Sequence, residues 1–141
     1  MKTIYKPWGK EEWLELNDKY CYKRIYINAG TKTSYQYHEQ KLETNYIIEG
    51  TAELWLENDE GVVEKKIMKA GDFFTVEPPK KHRVIAISDI ILQEVSTPEV
   101  DDVIRISDDS GRGSGKIKHE HSKPALCILT AGMGNRLENL S

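Results

Sequence analysis

Cysteine is scarce in this chain, which has two cysteines among its 141 residues. Cys21 and Cys127 lie far apart in sequence and form no C-x-x-C pair. A reduced, cytoplasmic protein is therefore the simpler interpretation.

Excess positive charge and long apolar runs are also missing. The formal net charge is −3, and lysines and arginines are interspersed among acidic residues. The sequence therefore has no cluster of basic residues of the kind that binds nucleic acid. No run of 18 apolar residues occurs, and the first ten residues have no apolar core of a signal peptide. We expect neither a membrane span nor a signal peptide.

Helical periodicity is nearly absent, whereas strand signals recur along the chain. Residues 5–29 alternate loosely and are rich in Tyr and Ile, which favours strands. The turn 58–61 separates TAELWLE from VVEKKIM and predicts a hairpin, and a second turn covers 69–72. Three more short strands are predicted in FFTVE, HRVIAIS and IILQEVS. Many short strands with frequent turns predict one all-β domain, a sandwich or a barrel.

Candidate metal ligands concentrate in the stretch from Gly30 to Gly50. Gln36 and His38 are two residues apart, so on a strand they share a face. Glu43 can join that face only if the chain turns after His38, and the polar residues 39–41 suit a turn. His82, beyond Pro78-Pro79, begins another strand and shares a face with Val84 and Ala86.

An amide oxygen, two imidazoles and a carboxylate suit Zn²⁺, Mn²⁺, Fe²⁺ or Ni²⁺, with positions left open for water or substrate. Each residue alone also has a structural explanation, because single strand histidines are more often hydrogen-bonded than metal-bound.

The spacing Gly, five residues, Gln, one, His, four, Glu, six, Gly resembles the first cupin motif, with Gln36 in place of its first histidine. GDFFTVEPPKKH resembles the second cupin motif, with altered spacing before the histidine and without its usual glycine. The resemblance implies an all-β cupin fold, a double-stranded β-helix or jelly-roll barrel.

A closer resemblance covers roughly residues 5–112. KPWGKEEW, SYQYHEQKLETNYIIEGTA, PPKKHRV and EVDDVIRISDDSGR follow in the order of similar blocks in the C-terminal domain of type II mannose-6-phosphate isomerases. These bacterial enzymes are often fused to mannose-1-phosphate guanylyltransferase. The chain departs from their pattern at Lys41, where the family has arginine, and at Thr44-Asn45, where it has His-Trp. Either change could alter the substrate or remove activity while leaving the fold intact.

The resemblance implies roles for particular residues. A divalent metal, with zinc ranked first and Mn, Fe, Co or Ni as alternatives, would be held by Gln36, His38, Glu43 and His82. The candidates to bind a sugar phosphate are Arg83, Arg105 and Arg112, since arginine binds phosphate oxygens bidentately. The alternative for Arg105 and Arg112 is a structural ion pair with a neighbouring aspartate.

As an isomerase, the domain would move a proton between C1 and C2 of an open-chain sugar through a cis-enediol. A general base must reach the C2 proton, and its pKa should lie near the working pH. Lys41 and Glu94 are the candidates for that catalytic role. Each also has a purely structural explanation, Lys41 as a turn residue and Glu94 as a solvent-facing strand residue.

The composition changes after residue 112. Glycine, serine and charge dominate 113–123, which predicts a flexible linker after a cupin domain at 1–112. The His119-x-His121 pair in this linker is expected to be solvated rather than metal-bound. Residues 124–141 contain L-T-A-G-M-G-N-R-L, which resembles the opening signature of sugar-1-phosphate nucleotidyltransferases. We therefore expect a truncated start of such a domain, belonging to a longer bifunctional parent chain, or else a tail.

Three functions stay open at this point. The first is a sugar-phosphate isomerase domain in nucleotide-sugar or surface-polysaccharide biosynthesis. The second is a non-catalytic cupin that binds a sugar phosphate or sugar nucleotide beside a nucleotidyltransferase. The third is a nucleotide-sugar epimerase or ketoisomerase, which the many tyrosines allow. A homodimer formed through a sheet face is also expected, since jelly-roll cupins commonly pair in this way.

Overall fold

The computed structural model describes residues 1–108 and 115–117. These residues form twelve strands, and none of them lies in a helix. The strands are β1 Lys2–Lys6, β2 Gly9–Leu16, β3 Cys21–Ile27, β4 Tyr35–Tyr37, β5 Glu43–Glu49, β6 Thr51–Glu57, β7 Val63–Lys69, β8 Phe73–Val76, β9 His82–Ala86, β10 Ile90–Ser96, β11 Val103–Ser107 and β12 Gly115–Ile117.

The strands form two six-stranded antiparallel sheets. Sheet A has the order β1-β2-β3-β10-β5-β8, and sheet B has the order β12-β11-β4-β9-β6-β7. Each strand pair in both sheets is antiparallel. The all-β jelly-roll prediction is therefore confirmed.

The apolar core lies between the inner faces of the two sheets, as the strand alternation predicts. In β3, Cys21, Lys23, Ile25 and Ile27 are buried, whereas the residues between them are half-exposed. The core cluster combines sheet A residues with sheet B residues, among them Ile27, Ile47, Ile90, Leu92, Ala52, Leu54, Val84 and Ala86. Lys23 is thus a charged side chain at a core position.

Gly50 makes the tight link between β5 in sheet A and β6 in sheet B. Its φ is +98°, in the left-handed region, and a Cβ there would lie 2.1 Å from the carbonyl oxygen of Asp89. Only glycine fits both constraints without backbone movement. This explains the glycine that ends the first motif.

The predicted hairpin is present, with β6 and β7 paired from Thr51–Lys69 to Glu57–Val63. Residues 115–117 of the predicted 113–123 linker pair with β11 as strand β12. The rest of that linker, with His119 and His121, lies outside the described residues, as do Arg112 just before it, Cys127 and the predicted nucleotidyltransferase start at 124–141. The proposed domain boundaries therefore stay predictions.

Across 1–108 and 115–117, the structure has no helix long and apolar enough to span a membrane.

Candidate metal centre

Three predicted ligands converge where β4, β5 and β9 meet. His38 follows β4 directly, Glu43 begins β5, and His82 begins β9 opposite Gln36 of β4. One potential ligand atom from each of His38, Glu43 and His82 lies within 4.8 Å of the other two. All three residues are buried, and the imidazole centroids are 5.1 Å apart. The turn expected between His38 and Glu43 is what brings the carboxylate to the histidines.

Asp102, which the sequence analysis did not assign, holds this turn. Its carboxylate accepts the backbone N–H groups of Glu39, Gln40 and Lys41, and its backbone carbonyl accepts a hydrogen bond from Nδ1 of His38. Burial alone would raise the pKa of Asp102, but these N–H donors hold it below its usual value. The carboxylate therefore acts as a cap for the turn.

Backbone carbonyls set the tautomer of both histidines. Nδ1 of His38 contacts the carbonyl of Asp102, and Nδ1 of His82 lies 3.1 Å from the carbonyl of Lys80. A carbonyl can only accept, so each Nδ1 carries the hydrogen and each Nε2 offers a lone pair. Carbonyl partners of this kind orient metal-binding imidazoles.

Burial lowers the pKa of His82 to about 4, with the Glu43 carboxylate partly opposing this shift. His82 is therefore neutral at pH 7 and available as a ligand.

The contact between His38 and Glu43 tests whether a cation fits. Nε2 of the buried His38 lies 3.2 Å from Oε1 of Glu43. With the Nδ1 hydrogen donated to Asp102, this contact joins two lone pairs unless a second proton or a cation lies between them. Two imidazole nitrogens and a carboxylate oxygen form a donor set that zinc and related metals bind. The residues therefore fit a divalent metal.

Gln36 lines one cavity together with His38 and His82. Its side-chain oxygen accepts a hydrogen bond from the hydroxyl of Ser34, which is buried. An amide oxygen has two lone pairs, so one stays available. Its proposed place as a fourth ligand is compatible with this contact.

Lys41 connects the candidate centre to a second carboxylate. Its Nζ lies 3.4 Å from Oε1 of Glu43 and 3.1 Å from Oε2 of Glu94, and all three residues are buried. Burial alone would lower the pKa of Lys41, but the Glu94 and Glu43 carboxylates outweigh it and raise the pKa above its usual value. Lys41 is therefore a cation that holds its proton tightly, so it can donate hydrogen bonds but is a poor proton acceptor.

The Glu43 carboxylate is ionised for the same reason. Burial alone would raise its pKa, but the Lys41 ammonium outweighs burial and holds the pKa well below its usual value. Its second oxygen, Oε2, accepts a hydrogen bond of 3.0 Å from the Asn45 side chain. Asn45, at one of the positions where this chain departs from the family pattern, thus orients Glu43.

A cavity of about 70 Å³, counted as space for water-sized molecules, adjoins these groups. Its walls come from both sheets and combine apolar residues with the polar cluster; among the lining residues are Lys6, Trp8, Glu11, Lys23, Ile25, Gln36, His38, Lys41, Glu43, Asn45, His82 and Leu92. Glu94 is not among the described residues that line the cavity. It pairs with Lys41, which is one of them.

The predicted phosphate-binding arginines have other surroundings. Arg83 is buried, donates from Nε to the carbonyl of Thr33, and lies 5.6 Å from the ring centre of Trp55. Arg105 is buried on β11 beside Gln36. Neither arginine lines the cavity in the part of the chain that the structure describes, and Arg112 lies outside that part.

The cations that do line the cavity are lysines, Lys6, Lys23 and Lys41. Lys6, Lys23 and Glu11 were not predicted as site residues from the sequence. A signal for Lys23 was present, because it alternates with Cys21, Ile25 and Ile27 on the inward side of a predicted strand. A lysine in such a position has to be held by other polar groups.

The fold and the ligand spacing agree with a comparison against known families. The profile of the cupin domain matches residues 23–95. The chain belongs to the cupin family. The solved structure of KdgF from Halomonas sp. superimposes with a TM-score of 0.63 at 19% identity, covering 72% of this chain and 90% of that one. At this identity, the likeness concerns the fold alone.

Curated relatives of this cupin are longer proteins. Mannose-1-phosphate guanylyltransferase from Escherichia coli (strain K12) is 32% identical over 114 residues, which cover 79% of this chain and 23% of that protein. The xanthan biosynthesis protein XanB from Xanthomonas campestris pv. campestris (strain B100) is 26% identical over 115 residues, 79% of this chain and 24% of that protein. The cupin chain thus spans about a quarter of the length of these relatives.

Proposed function

We propose that this cupin is a metal-dependent aldose–ketose isomerase domain that interconverts mannose 6-phosphate and fructose 6-phosphate. The observation that carries the proposal is the buried His38, Glu43 and His82 cluster beside the cavity. The similarity to mannose-1-phosphate guanylyltransferases supports the choice of sugar, because the isomerase product would be one step from their named substrate. The setting would be nucleotide-sugar or surface-polysaccharide biosynthesis.

The proposed metal ligands are Gln36, His38, Glu43 and His82, with zinc ranked before Mn, Fe, Co and Ni. When bound, the metal would polarise the sugar carbonyl and the neighbouring hydroxyl and stabilise negative charge on them. The protein's part is to orient both imidazoles, through the Asp102 and Lys80 carbonyls, so that each Nε2 is left for the metal.

Proton transfer is proposed for the Lys41 and Glu94 pair. The raised pKa keeps Lys41 charged and suits it to donate a hydrogen bond to a sugar oxygen. Glu94, 3.1 Å from Lys41, keeps Lys41 charged and stays the proposed acceptor of the carbon-bound proton, although it does not line the cavity. Arg83, Arg105 and Arg112 stay proposed phosphate contacts, although the first two do not line the cavity.

A second candidate is a non-catalytic cupin that binds a sugar phosphate or a sugar nucleotide. The observation that favours it is the ion pair of the two proposed acid–base groups, since Lys41 and Glu94 neutralise each other. A lysine held charged in this way accepts a proton poorly, so a hydrogen-bonding role suits it better than that of a general base.

Proton NMR of mannose 6-phosphate and fructose 6-phosphate in D₂O, with each metal added in turn, separates these functions. Deuterium at C1 or C2 that disappears in His38→Ala and His82→Ala supports the isomerase. Binding of sugar phosphate by folded, metal-loaded protein without exchange supports the binding module. Preferential conversion of nucleotide-linked sugars would instead support an epimerase or ketoisomerase.

The assembly around this domain is part of the proposal. The length of the relatives supports a parent chain with a fused nucleotidyltransferase domain. A cytoplasmic homodimer is proposed through an outer sheet face, where Tyr46, Phe73 and Val95 of sheet A are exposed. Light scattering during size-exclusion chromatography would give the mass of the assembly, and a monomer at working concentration would contradict the dimer.

A further inference from the structure

Lys23 is a buried cation that belongs neither to the candidate metal ligands nor to the proposed acid–base pair. It lies on the inner face of β3 in sheet A and is 1% exposed. Its side chain lines the same cavity as Gln36 and His82, which come from sheet B. The cavity thus has imidazole and amide groups on one wall and a lysine on the other.

Two neighbours on β2 fix the position of the Lys23 ammonium. Nζ lies 3.1 Å from Oε1 of Glu11 and 4.5 Å from the ring centre of Trp13. The indole N–H of Trp13 donates to the same Glu11 oxygen at 3.0 Å. The carboxylate, the indole and the ammonium therefore hold one another in a single arrangement, as in a cation–π clamp.

This arrangement is expensive as a purely structural feature. Removing two charges from water costs several kcal/mol for each ion, and apolar side chains of similar size often stabilise a core equally well or better. The ammonium has three N–H donors, and within the described residues its hydrogen-bonded acceptor is Glu11 alone. A ligand oxygen in the adjoining cavity would use a second donor.

The charge of the cavity wall indicates the kind of ligand. In the described part of the chain, three lysines and two glutamates line the cavity, and Glu94, which pairs with Lys41, balances the third lysine. A divalent metal at the histidines would add positive charge to this wall. The surplus favours an anionic ligand, and a set of hydroxyl acceptors suits lysine donors.

We propose that Lys23 is a ligand-binding residue, whose ammonium donates a hydrogen bond to an oxygen of an anionic polyhydroxy ligand from the wall opposite His82. Glu11 and Trp13 are its positioning residues. The identity of this ligand as a sugar phosphate rests on the proposed function.

The test compares Lys23→Met with a matched lysine on the outer face of the same strand pair. Lys10 also has a carboxylate and an aromatic ring as neighbours, with Glu12 at 3.7 Å and the ring centre of Tyr26 at 4.8 Å, but its side chain is partly exposed and does not line the cavity. Because Lys23→Met leaves the Glu11 charge buried, the double variant Lys23→Met/Glu11→Gln removes both charges together. Lys23→Arg keeps the charge.

The probe is mannose 6-phosphate, titrated calorimetrically into zinc-loaded wild-type protein and each variant, with thermal melting as the check on folding. We expect the Kd of the double variant to rise by about 10- to 100-fold, because the variant loses one charge-assisted hydrogen bond to the ligand. Lys23→Arg should recover part of this affinity, and Lys10→Met should match the wild type. In turnover assays the KM should rise more than kcat falls.

The outcomes separate this inference from the proposed function. If the wild type binds the probe without converting it, and the Lys23 variants lose this binding, the isomerase proposal is rejected and the role of Lys23 is supported. A folded double variant with wild-type affinity and KM overturns the role of Lys23 and makes the network structural. A wild-type protein that neither binds nor converts the probe overturns both.

Discussion

His38 and Glu43 face each other at 3.2 Å through a ring nitrogen and a carboxylate oxygen, both buried. Because the other ring nitrogen of His38 donates to the Asp102 carbonyl, a proton or a cation between the two groups would relieve the repulsion of their lone pairs. This relationship is the strongest geometric argument for a metal at this position. It also makes the site testable by metal binding alone.

Metal binding should depend on His38 and His82 and on no other histidine. We expect one equivalent of zinc per chain, and His38→Ala or His82→Ala should weaken binding by at least about 100-fold, beyond the loss that removal of an outer partner causes. Calorimetry with elemental analysis measures this. His119→Ala/His121→Ala is the control, and a loss of zinc in that variant alone would contradict the assignment.

The Lys41 and Glu94 pair should behave as a buried ion pair. Lys41→Met leaves Glu94 and Glu43 without their cation and should lower the free energy of unfolding by about 3–5 kcal/mol, with a smaller loss in Lys41→Met/Glu94→Gln. Urea denaturation of the single and double variants measures the coupling. The exposed Lys80 and Asp59 pair is the control, since Lys80→Met should leave stability unchanged. Additive effects at Lys41 and Glu94 would exclude the coupling.

His82 should make the metal-free protein less stable in acid. Its pKa is about 4 in the folded protein against 6.5 for an unperturbed histidine, so between these values the unfolded chain binds more protons than the native state. The stability contribution is present in full above pH 6.5 and falls as the pH decreases towards 4, by about 3 kcal/mol.

Urea denaturation in EDTA at several pH values, for the wild type and His82→Gln, isolates this contribution. The variant should lose stability less steeply than the wild type between pH 6.5 and 4. Equal slopes would show that the carboxylates alone cause the acid sensitivity.

Gly50 and Gly71 offer a matched test of the link between the sheets. Both have φ values near +95°, but a Cβ at Gly50 meets the Asp89 carbonyl at 2.1 Å, whereas a Cβ at Gly71 meets nothing within 4 Å. Both alanine variants incur backbone strain, on the order of 1–2 kcal/mol. Gly50→Ala should cost about 2–3 kcal/mol more through the clash. Chemical denaturation would measure the difference, and equal losses would show that the link adapts.

Much of the fold was predictable because it depends on local signals. Alternation identified the inward face of β3, and the turn residues at 58–61 and 69–72 separated the strands around β7. The spacing of His38 and Glu43 predicted a shared site, because the strand face of His38 and the turn after it follow from neighbouring residues. Lys23 was not predicted as a site residue, because its proposed role depends on contacts with Glu11 and Trp13, which lie on the neighbouring strand β2.

The sequence by itself determined the class of fold and the candidate metal donors, since side-chain alternation and ligand spacing are properties of adjacent residues. The tertiary structure decided which cations line the cavity. Arg83 and Arg105 are as basic in sequence as Lys23 and Lys41, yet only the lysines line the cavity among these four. It also decided the protonation of Lys41 and His82, because burial, the approach of Glu94 to Lys41 and the approach of Glu43 to His82 bring together residues that are distant in the chain.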